Sequence, residues 1–173
     1  MEEMVKQSIR ILGIDTSLRS TGVGIIEVKG ASMRAVAYGR IRNKPTDPHS
    51  LCLENIFNSI SDLIDEHAPD CAAIEGAFFS KNARTAMVLG QARGAAITAC
   101  AKKGLTLTEH SPRKVKQSLV GTGAAQKEQV ARMVMHLLNL SEQPQEDAAD
   151  ALAIAICHHH QLALPAALRA KSI

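Results

Sequence analysis

The sequence predicts an α/β fold: a mixed five-stranded sheet, three antiparallel meander strands followed by parallel ones, with helices on both faces. Three observations carry this expectation. The runs Ile11-Leu12-Gly13-Ile14-Asp15 and Cys71-Ala72-Ala73-Ile74-Glu75 are short, apolar and closed by an acid, as fully buried strands are. Residues 22–28 and 33–41 are rich in Val, Ile and small side chains and flank a Lys29-Gly30 turn, which predicts a meander. From residue 71 onward strand-like runs alternate with helix-period runs, the order that places parallel strands beneath helices.

Each remaining element has a local reason. Asp47-Pro48 predicts a helix with Asp47 as N-cap and proline at its first position; Leu51, Ile56, Ile60, Leu63 and Ile64 form its apolar stripe and Pro69 ends it. Residues 82–103 carry Met87, Leu89, Ala92 and Ile97 at helical spacing and stop at Gly104, a favoured residue just past a helix end. A short strand is expected at 105–108, and Ser111-Pro112 opens a short basic helix reaching Leu119. Residues 121–125, Gly-Thr-Gly-Ala-Ala, make a joint before an amphipathic helix at 126–140. A last helix begins just after Pro144 and runs to about His160. One domain over residues 9–160 is expected, with tails at 1–8 and 161–173.

Composition bounds the function. A chain of 173 residues, 46% hydrophobic and 21% charged, supports one real core rather than disorder. Cys52, Cys71, Cys100 and Cys157 are widely spaced, sit mostly in apolar runs and form no CxxC pair, which predicts reduced thiols and a cytoplasmic location. No charge-free apolar stretch is long enough to span a bilayer, and the start Met1-Glu2-Glu3-Met4 lacks the order of a signal peptide, so no membrane association is expected. The net charge of +3 is uninformative by itself, but its distribution is not: residues 81–132 hold ten Lys or Arg against Glu109 and Glu128, a net +8, while the rest holds ten bases against fifteen acids, a net −5. One basic face able to meet a polyanion follows, although solvated helix faces would account for any single lysine.

Four acids stand where apolar structure should exclude charge. Asp15 and Glu75 fall at the C-terminal ends of buried strands, the edge of an open α/β sheet where ligand sites form. Asp147 and Asp150 open the last helix and share one face, a turn apart. A first-turn acid favoured by the helix dipole accounts for a lone Asp147, but less well for Asp150, which lies deeper on the stripe of Ile154 and Cys157. Converging buried carboxylates need a cation to remain ionised together, and hard oxygen donors favour magnesium, with manganese able to substitute. Two such ions about 4 Å apart would suit phosphodiester cleavage, one activating water and the other stabilising the leaving oxygen.

At this point a family resemblance becomes specific. The run Leu12-Gly13-Ile14-Asp15 with Ser20-Thr21-Gly22, Ile74-Glu75 followed by Phe78 and Lys81-Asn82, the stretch 89–94 (Leu-Gly-Gln-Ala-Arg-Gly), Val115-Lys116-Gln117 with Val120-Gly121, and the segment 147–156 together resemble the RuvC family of Holliday-junction resolvases. The resemblance implies an RNase H-like fold, a homodimer, a branch-migration partner complex of RuvA and RuvB, and magnesium-dependent symmetric nicking of a four-way DNA junction. It also implies that Asp15, Glu75, Asp147 and Asp150 are the metal-binding catalytic acids, that Lys116 and Lys127 lie by the scissile phosphate, and that Phe78 contacts bases near the crossover. Two positions depart from the family pattern: Thr16-Ser17 stands where Pro-Gly is usual, and Gly76 where Gln is usual.

Other residues fit a nucleic-acid surface. Phe78 and Phe79 stand together just past Glu75, where an exposed ring could stack on a base, the plainer alternative being that Phe79 plugs the core. Lys81, Arg84, Arg93, Arg113, Lys114, Lys116 and Lys127 are candidate phosphate contacts. Three consecutive histidines, His158, His159 and His160, point in different directions on a helix, which predicts a polar helix end rather than one metal site. The competing readings are a related nuclease of structured RNA, a non-catalytic junction-binding protein, and an actin-like ATPase; the intact acids argue against the second, and the short chain without a P-loop argues against the third.

Overall fold

The computed structural model describes residues 8–76 and 82–173. In chain order the elements are β1 (Ile9–Asp15), β2 (Ser20–Lys29), β3 (Ser32–Arg42), α1 (His49–His67), β4 (Cys71–Glu75), α2 (Ala83–Lys102), β5 (Leu107–His110), α3 (Pro112–Val120), α4 (Lys127–Leu138) and α5 (Glu146–Leu162), followed by a 3-10 turn at Ala166–Leu168. The five strands form one sheet in the order β3-β2-β1-β4-β5. The first three pair antiparallel, and β1, β4 and β5 pair parallel. This is the mixed sheet the sequence predicts.

Helices cover both faces because the strand residues alternate. On β1, Leu12 and Ile14 face the core beneath α1 and α2, with Ile56, Ile60, Ala92 and Ala96. Ile11 faces the other way, into a core built with α3, α4 and α5 around Val134, Leu152 and Ile156. The alanine-rich α5 lies almost in contact with the sheet: a Cβ added at Gly13 would come within 1.9 Å of the Ala151 carbonyl oxygen, and one at Gly22 within 1.9 Å of the Asp147 carbonyl oxygen. Only glycine lets a helix backbone approach a strand this closely.

Several local expectations shift by a residue or two. Pro48, not Asp47, is the N-cap position of α1, because the Asp47 carboxylate is taken by the Lys44 amide at 2.8 Å. The last parallel strand begins at Leu107 rather than residue 105. The end of α2 consumes the intervening backbone: Gly104 adopts φ +68, its amide bonds Ala101 O at 3.0 Å, and the Leu105 amide bonds Cys100 O at 3.0 Å, a Schellman closure. The segment after α5, expected to trail as a tail, returns to the sheet, where Ser172 bridges Thr108 and the Ile173 amide bonds Leu107 O at 3.0 Å. All four cysteines are free thiols. Among the described residues, no helix is long and apolar enough to cross a membrane.

Candidate active site

Parallel pairing of β1 with β4 places Ile14 beside Ile74, so Asp15 and Glu75, the next residue on each strand, emerge side by side at one edge of the sheet. The N-terminus of α5 reaches the same edge, held there by the close contacts at Gly13 and Gly22. Asp15, Glu75 and Asp150 line a cavity of about 300 Å³ together with Lys116 from α3 and Lys127 from the first turn of α4. The Lys127 ammonium lies 3.7 Å from Asp150 Oδ2 and also pairs with Glu146. Sequence separations of up to 135 residues thus collapse into one cavity.

The charges in this cavity are not balanced. Burial first, and then the Asp150 and Asp147 charges, push the Asp15 carboxyl up from 3.8 to about 6. Burial and the neighbouring Asp15 and Asp150 charges push Glu75 up from 4.5 to about 7. Asp150 is also raised by burial, against the opposing pull of Lys127. Lys127 is raised, chiefly by its hydrogen bond to Glu146. Carboxylates that raise one another's affinity for protons are equally poised to gain a cation.

Among the described residues, no three acids, histidines or cysteines are already drawn together as a closed metal cage. The donor set nevertheless fits a hard divalent ion, since it is all carboxylate oxygen with surplus negative charge and no thiolate in the cavity. Asp147 stands slightly apart. Its Oδ2 accepts a hydrogen bond from the Ser20 hydroxyl and lies 4.0 Å from Arg40 Nη1. Its backbone abuts Gly22, so it borders the cavity without lining it.

The basic candidates divide by environment. Arg84 and Arg113 are exposed, and Lys114 and Lys116 are half-buried on α3. Arg93 is not a free phosphate contact: its guanidinium donates to Glu75 O at 2.5 Å and pairs with Glu109, bracing the end of β4. Phe78, Phe79 and Lys81 lie outside the described residues. The histidine run diverges as expected, yet it is not merely a polar end. His158 is buried with His110, Nδ1 to Nε2 at 3.0 Å, and burial lowers both rings from 6.5 to about 4. His160 pairs instead with Ser118 Oγ at 2.8 Å.

Sequence reasoning assigned no role to Ser20, Arg40, Glu109 or Glu146. Ser20 belongs to a quoted motif, but nothing local reveals its partner 127 positions away. The Thr16-Ser17 departure has a visible accommodation: the Thr21 hydroxyl, fully buried, donates to Ser17 O at 2.6 Å and accepts from the Ser17 amide at 3.3 Å, closing the turn between β1 and β2. Gly76 donates its amide to His110 O at 2.8 Å, extending the β4–β5 ladder by one step past Glu75.

Comparison with known proteins agrees with this geometry. The profile of the family described as Crossover junction endodeoxyribonuclease RuvC matches residues 11–158. The protein of that name from Alkalilimnicola ehrlichii is 48% identical over 160 residues, covering 92% of this chain and 96% of the relative. That from Maricaulis maris is 52% identical over 153 residues, covering 88% and 92%. The structure of Thermus thermophilus RuvC in complex with a Holliday junction substrate superposes with a TM-score of 0.88 at 31% identity, covering 95% of this chain and 99% of that one. The RNase H-like sheet, the acids gathered at one edge of it and these matches over most of the chain lead to one conclusion: this chain belongs to the RuvC family of crossover junction endodeoxyribonucleases, which resolve four-way DNA junctions.

Proposed function

We propose that Asp15, Glu75, Asp147 and Asp150 form the catalytic centre of this nuclease, holding two magnesium ions, with manganese able to replace them, and that Lys116 and Lys127 serve the phosphate being cut. The observation that carries this reading is the meeting of strand-end acids from β1 and β4 with Asp150 of α5 beside two lysines, Asp147 standing at the border of the same cavity. When bound, divalent ions supply an activated water at neutral pH and charge stabilisation of the leaving oxygen. The chain's own groups do the rest. Asp15 and Glu75, fixed on neighbouring strands, would hold the ions at the sheet edge and so define where the anionic phosphate can sit. Lys116 and Lys127 face the same cavity and would meet the negative charge that grows on the phosphate oxygens. Exposed Arg84 and Arg113, with half-buried Lys114, would neutralise flanking phosphates.

Each chain carries one such edge, so paired nicks in a four-way junction require a second copy, and the functional unit is inferred to be a homodimer. Phe78 and Lys81 belong to the segment just past Glu75 and would meet DNA near the crossover. A branch-migration complex of RuvA and RuvB would supply the junction, and four free thiols are compatible with a cytoplasmic enzyme. The test is incubation with a synthetic four-way junction, with and without magnesium, mapping cuts on every strand. Symmetric nicks on opposing strands, lost in Asp15→Asn while junction binding persists, are expected. Asymmetric cutting, or cutting by Asp15→Asn at the wild-type rate, would reject the reading.

A further inference from the structure

Asp147 differs from the other three acids in being held from outside the cavity. Ser20 opens β2 and stands on the same face as Gly22, where the strand meets the Asp147 backbone with no room for even a Cβ. From there its hydroxyl donates to Asp147 Oδ2, and Arg40, paired with Gly22 across the β2–β3 ladder, places Nη1 4.0 Å from that same oxygen. Both contacts fall on Oδ2, leaving Oδ1 without either. The N-cap position of α5 is Gln145, which makes no side-chain cap, and the Asp147 carboxylate is directed across to β2 and β3. Ser20 is itself fixed, because the adjacent Thr21 hydroxyl locks the Ser17 backbone and so closes the turn that leads into β2.

We propose that Ser20 is a positioning residue for Asp147: its hydroxyl anchors one carboxylate oxygen so that the other is presented toward the cation site. A partner of this kind removes rotameric freedom from a ligand before the ion arrives, which is the usual role of hydrogen bonds behind a coordinating carboxylate. The inference rests on the reading of Asp147 as a cation-holding acid.

The experiment is calorimetric titration of manganese into the metal-free protein without DNA. Ser20→Ala is expected to weaken binding about tenfold, within the range seen when such supporting partners are removed. Ser20→Thr, which keeps the hydroxyl, is expected to restore it, and Asp147→Asn to weaken it at least as much as Ser20→Ala. Junction affinity in chelator, measured alongside, is expected to stay at the wild-type level in Ser20→Ala, showing an intact fold. Wild-type manganese affinity in Ser20→Ala, with Asp147→Asn impaired, would overturn the role of Ser20 while leaving the site intact. Failure of threonine to rescue would overturn the hydroxyl's part in it. Wild-type affinity in Asp147→Asn would reject Asp147 as a ligand, and the inference with it.

Discussion

At the scale of single residues, the most consequential physical fact is that Asp15 and Glu75 bind protons more tightly in the folded protein than in an unfolded chain. Their folded values of about 6 and 7 lie above the ordinary 3.8 and 4.5, so the folded state carries extra protons between those limits. Stability from this source is therefore full below about pH 4 and is lost as pH rises through 6 to 7. In the metal-free protein these two carboxyls are expected to take away about 1–3 kcal/mol across that window. Asp15→Asn should remove the Asp15 part of this loss and raise the metal-free Tm at pH 7.5 relative to wild type. Magnesium should raise the wild-type Tm at that pH but the variant's much less, since ions that bind only the folded state stabilise it. Thermal melts of wild type and Asp15→Asn from pH 4 to 8, with chelator and with magnesium, check this; a Tm difference between the two in chelator that does not change with pH would contradict it. The pairing of Asp15 with Glu75 was foreseeable from two strand-end acids, whereas the hold of Ser20 on Asp147 depends on residues that no local pattern connects.

At the scale of elements, α5 is the part whose placement decides the site. Its contact faces are largely alanine, and the strands beneath it offer glycine where the backbones cross, so α5 docks through backbone proximity rather than interlocking side chains. Gly13→Ala would drive a methyl group into the Ala151 carbonyl, which cannot yield as a flexible side chain can. A loss of about 3 kcal/mol or more is expected, at the upper end of overpacking effects. Because the displaced helix carries Asp147 and Asp150, cleavage should fall more steeply than junction binding. Urea unfolding and parallel binding and cleavage assays read both effects, and an unfolding midpoint within error of wild type would refute the account. The sequence revealed α5 by its length and apolar content, and Gly13 by interrupting an apolar strand. It did not reveal that the two meet, because the contact joins residues 138 positions apart. The two-residue shift of β5 has a similar origin: the Schellman closure at Gly104 claims Leu105 before strand pairing can begin.

At the scale of the whole molecule, the two ends of the chain's second half are tied by His110 on β5 and His158 on α5, buried against each other at 3.0 Å. Burial holds both rings neutral, with values near 4 rather than 6.5. The sign is opposite to that of the carboxylates: the unfolded chain binds the extra protons, so this contribution is present above pH 6.5 and disappears as pH falls toward 4. Comparing wild type with His110→Phe cancels the shared carboxylate effect. The stability difference between them should move against wild type as pH drops from 7 to 4.5, measured by denaturant unfolding; a difference independent of pH would show that the pair does not titrate on unfolding.

The sequence by itself determined the order of elements, the mixed sheet, the strand-end position of Asp15 and Glu75, and the shared face of Asp147 and Asp150. These follow from short-range rules: apolar runs, helical spacing, caps and turn residues act within a few positions of one another. Only the tertiary structure decided that Arg93 braces Glu75 and Glu109 instead of facing a phosphate, that His158 is buried, and that Asp147 is held by Ser20. Each of these is a choice among partners for one side chain. Such choices are settled by which elements the shared core brings together, and chain distance carries almost no information about them.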